Sequence, residues 1–351
     1  MSNVDLRGIT KRFPGVTALS EVSFSIQHGE LFVLLGPTGA GKTTSLRVIA
    51  GLEKQDEGSI LFDGQPVEGL TPAERDVAFV FQQYSLYPTM SVFDNLAFPL
   101  RSPLRRVEPA EIKRRIADAA EKLRITHLLE RKTAHLSGGE MQRVSIGRAI
   151  VRDPRLFLMD EPLSNLDAKL RESLRVELKH LQKTQGSTTL FVTHDQIEAL
   201  TMADRIGVLR EGRLVQVGTP NDIYDRPATT FVAQLVGSPR INLFEATRDD
   251  GTVRIPNTAL HIPAPLPNLP PAFLLGIRPE DITPDANGAF TGSVALTEPL
   301  GVETIVHIRS GERTLTSLVP GITPLRIGDD VRFKIVLEKL HCFDMEHQRL
   351  N

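Results

Sequence analysis

Cysteine occurs once, at Cys342, so the chain can form neither an internal disulfide nor a Cys-rich zinc site. That usage fits a reducing compartment. Charge of one sign is lacking too. Lys and Arg total 41 against 43 Asp and Glu, a net charge of −2, and no basic field advertises a nucleic-acid partner. Long apolar runs are missing: the longest, such as LFVLL at 31–35, fall far short of the roughly 18 residues a membrane helix needs. The N-terminus, MSNVDLRGITKRF, has no apolar core and does not read as a signal peptide. Alone, such a chain is expected in the cytosol, with docking on a membrane partner left open.

What is present is ordinary globular composition, 40 % hydrophobic and 24 % charged, over 351 residues. That length is too great for one core, so two domains are expected. Four short apolar runs, LFVLL (31–35), VAFVF (77–81), LFLM (156–159) and TLFVT (189–193), have the length and branched or aromatic content of strands buried on both faces. Between them lie helical patterns. Leucines at 170, 174, 178 and 181 recur among charges after Asp167, and 108–125 reads as a second amphipathic helix with a solvated basic face. Strands alternating with helices predict an α/β domain with a parallel sheet.

The texture changes at GSPRINLF (237–244), and 256–271 carries six prolines, at 256, 263, 265, 267, 270 and 271. Such a stretch cannot be helix or central strand. Beyond it, LLGIRPEDI, GSVALTEPLG, TIVHIRSGE and VRFKIVLE are short β-like runs with turn signals. A small β-barrel or sandwich is the expected second domain.

GPTGAGKTT (36–44) follows the first buried strand and opens a helical run. This is a phosphate-binding loop in the context that makes it credible. Glycines 36, 39 and 41 let backbone N–H groups curl around phosphate oxygens at the positive end of a helix. Lys42 would reach the β- and γ-phosphates of ATP, and the Thr43 hydroxyl would ligate Mg²⁺. Gly36, Pro37, Thr38, Gly39, Ala40, Gly41, Lys42, Thr43 and Thr44 form the candidate nucleotide-binding set. A plain Gly-rich turn is the weaker reading.

In an open α/β sheet, ligands bind beyond the carboxyl ends of the strands. Gln82 follows VAFVF, Asp160 and Glu161 follow LFLM, and His194 follows TLFVT. Any one of these could be a surface or capping residue; four at the equivalent place argue for chemistry. Phosphoryl transfer needs positioning and charge stabilisation. Asp160 would hold Mg²⁺ through water, and Glu161 would act as general base on the attacking water. Pro162 predicts an extended backbone at Glu161. Gln82 would touch both Mg²⁺ and the water, and His194 would donate to the γ-phosphate.

LSGGE (136–140) presents another helix start, with Ser137 as N-cap and Glu140 at N3, the spacing of a capping box. Gly138 and Gly139 then fall in the first turn, although glycine disfavours helix by roughly 1 kcal/mol in the interior. Glycine there removes side chains where another backbone or a phosphate must come close. Two anion cradles in one chain point to two half-sites facing different nucleotides.

GPTGAGKTT, FQQY, LSGGE, LFLMDEP, SNLD and VTHD, in that order, resemble the nucleotide-binding domain of ABC transporters. The resemblance implies an α/β P-loop ATPase domain over 1–236, with a helical subdomain at about 88–150, followed by an OB-like TOBE domain over 237–351. Phe13 in KRFPG would stack on adenine, where Tyr or Trp is more usual. Ser164 and Asp167 of SNLD would work in the loop that crosses to the partner subunit. Ser137, Gly138, Gly139 and Glu140 would close on the γ-phosphate held by Lys42 of a second copy, with Glu140 standing where Gln is usual.

GIRPEDI (276–282) and EPLGVET (298–304) are similar to the β domain of carbohydrate-importer ATPases of the maltose, glycerol-phosphate and polyol type. Membership would imply a homodimer on two permease subunits at the cytoplasmic face of the bacterial inner membrane. A periplasmic solute-binding protein would act indirectly, and a regulatory protein could address the C-terminal domain. YSLYPTMSVFDNLAFPL (84–100) resembles the surface that receives a permease helix. A soluble ABC protein of DNA repair or translation is the competing class, but no coiled coil or second cassette is visible. A nucleic-acid-binding barrel is disfavoured by scattered phenylalanines and by the absence of tyrosine after Tyr224.

Overall fold

The chain opens with β1 (Val4–Phe13) and β2 (Val16–Ile26), followed by β3 (Leu31–Leu35), α1 (Lys42–Ala50), β4 (Glu57–Phe62), β5 (Gln65–Pro66) and β6 (Val77–Val80). Three helices come next: α2 (Val92–Ala97), α3 (Pro109–Lys122) and α4 (Gly138–Ile150). Then follow β7 (Leu156–Asp160), α5 (Ala168–Gln185), β8 (Thr189–Thr193), α6 (Gln196–Met202), β9 (Arg205–Arg210) and β10 (Arg213–Gly218). This computed structural model describes residues 2–103, 107–265 and 268–350. Pro267 of the proline-rich stretch lies outside them.

Two sheets share one core in the unit Met1–Pro220. The outer sheet is antiparallel, in the order β2-β1-β4-β5, and the central sheet runs β10-β9-β3-β8-β7-β6. In the central sheet β9, β3, β8, β7 and β6 pair in parallel, while β10 adds an antiparallel edge. Every residue of β3, β7 and β8 is buried. Their near-continuous apolar sequence follows from that, because both faces of the sheet are covered. The ring of Phe24 on β2 stacks on Phe32 of β3 at 5.0 Å, and Leu46 and Ile49 of α1 enter the same core.

The four strands expected from the sequence are present, with two shifts at their ends. Phe81 falls outside β6, because pairing with β7 stops at Val80 opposite Met159, and its ring stacks on Phe79 at 4.3 Å. Asp160 is the last residue of β7 instead of following it, since it still pairs with Val192. The outer antiparallel sheet β2-β1-β4-β5 has no counterpart among those four expected strands.

Local signals start and stop the helices. Asp167 caps α5 by accepting from Leu170 N at 3.0 Å, and Gly186 ends it in the left-handed conformation at φ 59°. Leu174 and Leu178 are buried along its inner face. α4 carries the full capping box, with Ser137 N donating to Glu140 Oε2 at 2.8 Å and Glu140 N to Ser137 Oγ at 3.4 Å. Among the described residues no helix is long and apolar enough to cross a membrane.

The unit Asn221–Asn351 is built on strands. α7 (Pro220–Asp225) and α8 (Thr230–Leu235) lead into β11 (Asn242–Asp249), β12 (Thr252–Arg254), β13 (His261–Pro263), β14 (Ala272–Ile277) and β15 (Ile282–Pro284). β16 (Phe290–Pro299), β17 (Glu303–Ser310), β18 (Arg313–Pro320), β19 (Asp330–Ile335) and β20 (His341–Phe343) complete it. The sheets β13-β12-β11-β14-β20 and β15-β19-β16-β17-β18 share one core that includes Phe273, Val306, Leu315 and Phe333. Ser317 on β18 donates to the Ile282 carbonyl on β15, joining the two edges of the second sheet into a barrel-like wall. The expected second domain is therefore all-β and OB-like. Pro263 sits on the edge strand β13, where a missing N–H costs little.

Residues 221–236 group with this second unit, ahead of the change in texture at 237. Ala233 packs with Ile241, Leu274 and Phe343. The fully buried Arg278 donates to the carbonyls of Tyr224 at 2.7 Å, Ala233 at 3.1 Å and Val236 at 2.5 Å, with its guanidinium 4.0 Å from the Tyr224 ring centre. A guanidinium taken out of water needs such partners for its donors.

Candidate functional site

Parallel register brings the site together. Leu35 lies opposite Thr193, Asp160 opposite Val192 and Val80 opposite Met159. The carboxyl ends of β3, β8, β7 and β6 therefore finish at one edge, and the residues that follow them meet there.

The loop after β3 runs straight into α1, whose N-cap Gly41 sits at φ 101° with no side-chain cap. The helix's first N–H groups are thus left without a side-chain acceptor, as an anion site requires. Glycine is obligatory at Gly41 for conformation and for space, since a Cβ there would stand 2.5 Å from the Ala18 carbonyl oxygen. Gly39, at φ 82°, opens onto free space. Lys42 is buried to 5 % exposure, with Nζ held by the carbonyls of Gly36 at 3.0 Å and Pro37 at 3.1 Å, and Glu161 Oε1 at 3.5 Å.

Thr43 Oγ1 donates to Asp160 Oδ1 at 2.9 Å. Burial pushes the Asp160 carboxyl above the usual carboxylate range, partly offset by that bond. A hydroxyl and a carboxylate oxygen this close are hard donors that fit Mg²⁺, an ion that keeps several waters and takes its remaining ligands from phosphate. No cluster of three or more His, Cys, Asp or Glu able to hold a metal occurs among the described residues.

Glu161 stands at the centre of the polar network. Its Oε2 lies 2.9 Å from His194 Nδ1, its N–H bonds the Val192 carbonyl at 3.0 Å, and its carbonyl accepts from Ser164 Oγ at 2.9 Å. The backbone here is left-handed, at φ 44°, and not extended as the following proline predicted. The chain leaves the β7 ladder in a tight turn closed by Ser164, and the turn overrides the local preference at a cost of about 1 kcal/mol or more. Gln82 Nε2 donates to Ser164 Oγ at 3.3 Å, and Asn165 Nδ2 to the Gln82 carbonyl at 2.9 Å. Arg171 braces the turn through the carbonyls of Leu163, Ser164 and Leu166. Lys42, Thr43, Gln82, Asp160, Glu161, Ser164 and His194 are thereby linked in one bonded cluster.

Other candidates are placed apart. Ser137 through Glu140 make no hydrogen bond or ion pair to residues 36–44 among the described residues. The Glu140 carboxylate is engaged in the cap, and the Ser137 bonds hold it below the usual range. Gly139 has a reason inside its own chain: a Cβ there would sit 2.2 Å from Leu170 Cδ2 of α5. Asp167 serves α5 as its cap. Phe13 ends β1 with Lys11 Nζ 4.9 Å above its ring. Pro37, Thr38, Ala40 and Thr44 belong to the loop itself, where Pro37 gives its carbonyl to Lys42.

Glu198 was missed by sequence reasoning. It is 3 % exposed, accepts from Thr193 Oγ1 at 2.6 Å, and so fixes the turn that carries His194, whose next residue Asp195 caps α6. The D-x-x-E spacing of a helix start was legible, but its burial was not. A groove of about 790 Å³ opens beside β6, lined in part by Leu52, Phe79, Phe81, Pro99 and Val107 together with Asp76, Arg115 and Arg152. Beside it, Tyr87 and Phe98 pack at 4.6 Å and are 40 % and 46 % exposed.

A phosphate loop feeding a helix, with a carboxylate pair and a histidine at neighbouring strand ends, defines an α/β P-loop ATPase. Residues 19–164 match the family model described as ABC transporter, and residues 275–343 match the TOBE domain. The chain is 45 % identical to the trehalose/maltose import ATP-binding protein MalK of Thermococcus litoralis, covering 98 % of each. It is 46 % identical to the sn-glycerol-3-phosphate import ATP-binding protein UgpC 3 of Agrobacterium fabrum, covering 100 % of each. A solved dimeric ATP-binding cassette in a post-hydrolysis state, bound to ADP and Pi, is 31 % identical with a TM-score of 0.55, over 62 % of this chain and 98 % of that one. The chain belongs to the ABC transporter ATPase family, in its import ATP-binding branch with a C-terminal TOBE domain.

Two expectations follow from the packing. Gly139→Ala should destabilise the first unit by about 1–2 kcal/mol in a denaturant melt, as overpacking does, and Leu170→Ala in the same chain should recover part of the loss. An unchanged melt for the single variant would mean the contact yields freely. Burial pushes the Glu198 carboxyl up, so its penalty appears as pH rises through the unfolded glutamate value of about 4.3 and is complete above the raised folded value. Glu198→Gln should therefore melt later than the parent at about pH 8, with the gap closing near pH 3.5; a gap independent of pH would contradict this.

Proposed function

We propose that this protein is the ATP-hydrolysing subunit of an importer for carbohydrate-type solutes: a sugar, a polyol, a sugar glycoside or glycerol phosphate. The observation that carries the reading is full-length identity of 45 % and 46 % to import ATP-binding proteins for trehalose/maltose and for sn-glycerol-3-phosphate. Nearly equal likeness to two solute classes supports the class of importer and leaves the particular solute to the permease.

ATP would lie with adenine on Phe13 and its phosphates across the N–H groups of Gly36 to Thr44. Lys42, now held by two carbonyls and a carboxylate, would turn its donors to the β- and γ-phosphates. Thr43 and Asp160, with Gln82, would hold Mg²⁺, which supplies charge neutralisation at the phosphates when bound. Glu161 would take the proton of the attacking water. His194 Nδ1 lies 2.9 Å from Glu161 Oε2, and a doubly protonated ring would bond Glu161 through Nδ1–H and the γ-phosphate through Nε2–H.

Hydrolysis would wait for a second copy. Ser137, Gly138, Gly139 and Glu140 have no bonds to their own phosphate loop, which supports their use on the partner's nucleotide, with Ser164 and Asp167 at the crossing. The groove lined by Phe79, Phe81 and Pro99 is the proposed seat for a helix of each of two permease subunits. ATP is supplied in the cytoplasm, so the working place would be the cytoplasmic face of the bacterial inner membrane. A periplasmic solute-binding protein would deliver solute to the permease, and the TOBE unit would offer a surface to a regulatory protein.

Two measurements test this. Glu161→Gln should retain ATP affinity while turnover falls by about a hundredfold or more, and normal hydrolysis would remove Glu161 from the role of base. Affinity purification of the tagged chain from membranes should bring down membrane-spanning subunits; ribosomes or DNA in their place would overturn the importer reading.

A further inference from the structure

The loop that leaves β6 is fastened at two places. At its start, Gln82 is tied to Ser164 and Asn165. Further along, Tyr84 and Ser85 adopt left-handed backbone at φ 36° and 51°, a conformation that residues with side chains rarely hold unaided. Both of their carbonyls are gripped by α4. Ser145 Oγ, on a side chain only 3 % exposed, donates to the Tyr84 carbonyl at 2.9 Å. Arg148 spans two successive peptides, with Nη1 donating to the Ser85 carbonyl at 2.7 Å and Nη2 to that of Tyr84 at 3.3 Å.

Arg148 makes no ion pair among the described residues. Its guanidinium lies 5.9 Å from the centre of the Tyr87 ring, so one fork is spent on the strained loop and on an aromatic three residues past its first strained residue. A planar fork fixes two carbonyls at once, which a point charge cannot do. The same side chain lines a mixed polar and apolar surface with Phe79, Phe81, Tyr87, Phe98 and Pro99. It therefore stands between that surface and the loop that begins at Gln82, on the helix that begins at LSGGE.

We infer that Arg148 is a positioning residue for Gln82, holding loop 82–87 so that α4 sets where the Gln82 side chain stands. This rests on the reading of Gln82 as a site residue given above. Arg148 touches no reacting atom in this account; it acts through the Tyr84 and Ser85 carbonyls.

A double-mutant cycle on the full chain tests it, with steady-state ATPase rates for Gln82→Ala, Arg148→Gln and the pair. Arg148→Gln should lower kcat about tenfold with KM for ATP within about twofold, because the phosphate loop is untouched. The double variant should match Gln82→Ala alone, since Arg148 has nothing to position once Gln82 is gone. Arg148→Lys should recover part of the rate, as an ammonium can still reach one carbonyl. Losses that multiply in the pair, or a wild-type kcat in Arg148→Gln beside an impaired Gln82→Ala, would overturn the inference while leaving the ATPase reading intact. Normal turnover in Gln82→Ala would remove Gln82 from the site, and this inference with it.

Discussion

Parallel pairing of β3, β8, β7 and β6 is the constraint on which the rest depends. Because Leu35, Thr193, Asp160 and Val80 finish at one edge, residues from four distant parts of the sequence meet there. The strands must be buried on both faces for that register to hold, so their interiors are apolar and their chemistry is confined to the first residues beyond them. Polar groups there do double duty. Asp160 ends a strand and bonds Thr43; Glu161 turns the chain and joins Lys42 to His194.

The cluster is held by short, local braces as much as by the sheet. Ser164 closes the left-handed turn at Glu161, Arg171 grips the carbonyls beyond it, and Glu198 fixes the turn at Thr193. Each brace is a buried or half-buried polar group whose alternative is an unsatisfied donor or acceptor, which makes it costly to loosen. Of the twelve non-glycine residues with left-handed backbone among the described residues, three, Glu161, Tyr84 and Ser85, lie in or beside the site. Strain is tolerated there because neighbouring bonds over-determine it.

Much of this was legible in the sequence, and what was hidden has physical reasons. The four buried strands and the phosphate loop announce themselves by composition and spacing, as does the capping box at Ser137. The antiparallel sheet of β1, β2 and β4 was hidden because strands with one face toward solvent mix polar and apolar residues, as VDLRGITKRF does. β18, RTLTSLVP, was hidden for the same cause. The backbone at Glu161 defeated a rule about the residue before proline, since a tertiary turn outweighs a local preference. Gly139 is instructive in another way. A side chain at this position would meet Leu170 of the same chain, so glycine has an intramolecular reason beside the proposed approach of a second molecule. Glu140, standing where Gln is usual, uses its charge on the Ser137 cap.

The central claim is that the hydrolytic site is completed between two copies of the chain, with the LSGGE helix of one facing the phosphate loop of the other. The lone cysteine makes a direct measurement possible, because Cys342 is buried and gives little background in oxidative cross-linking. With Thr38→Cys in one population of the chain and Ser137→Cys in another, mixed chains should form an intermolecular disulfide when ATP and Mg²⁺ are added, and little without nucleotide. A cross-link that never forms, or that forms equally with and without ATP, would contradict the shared site.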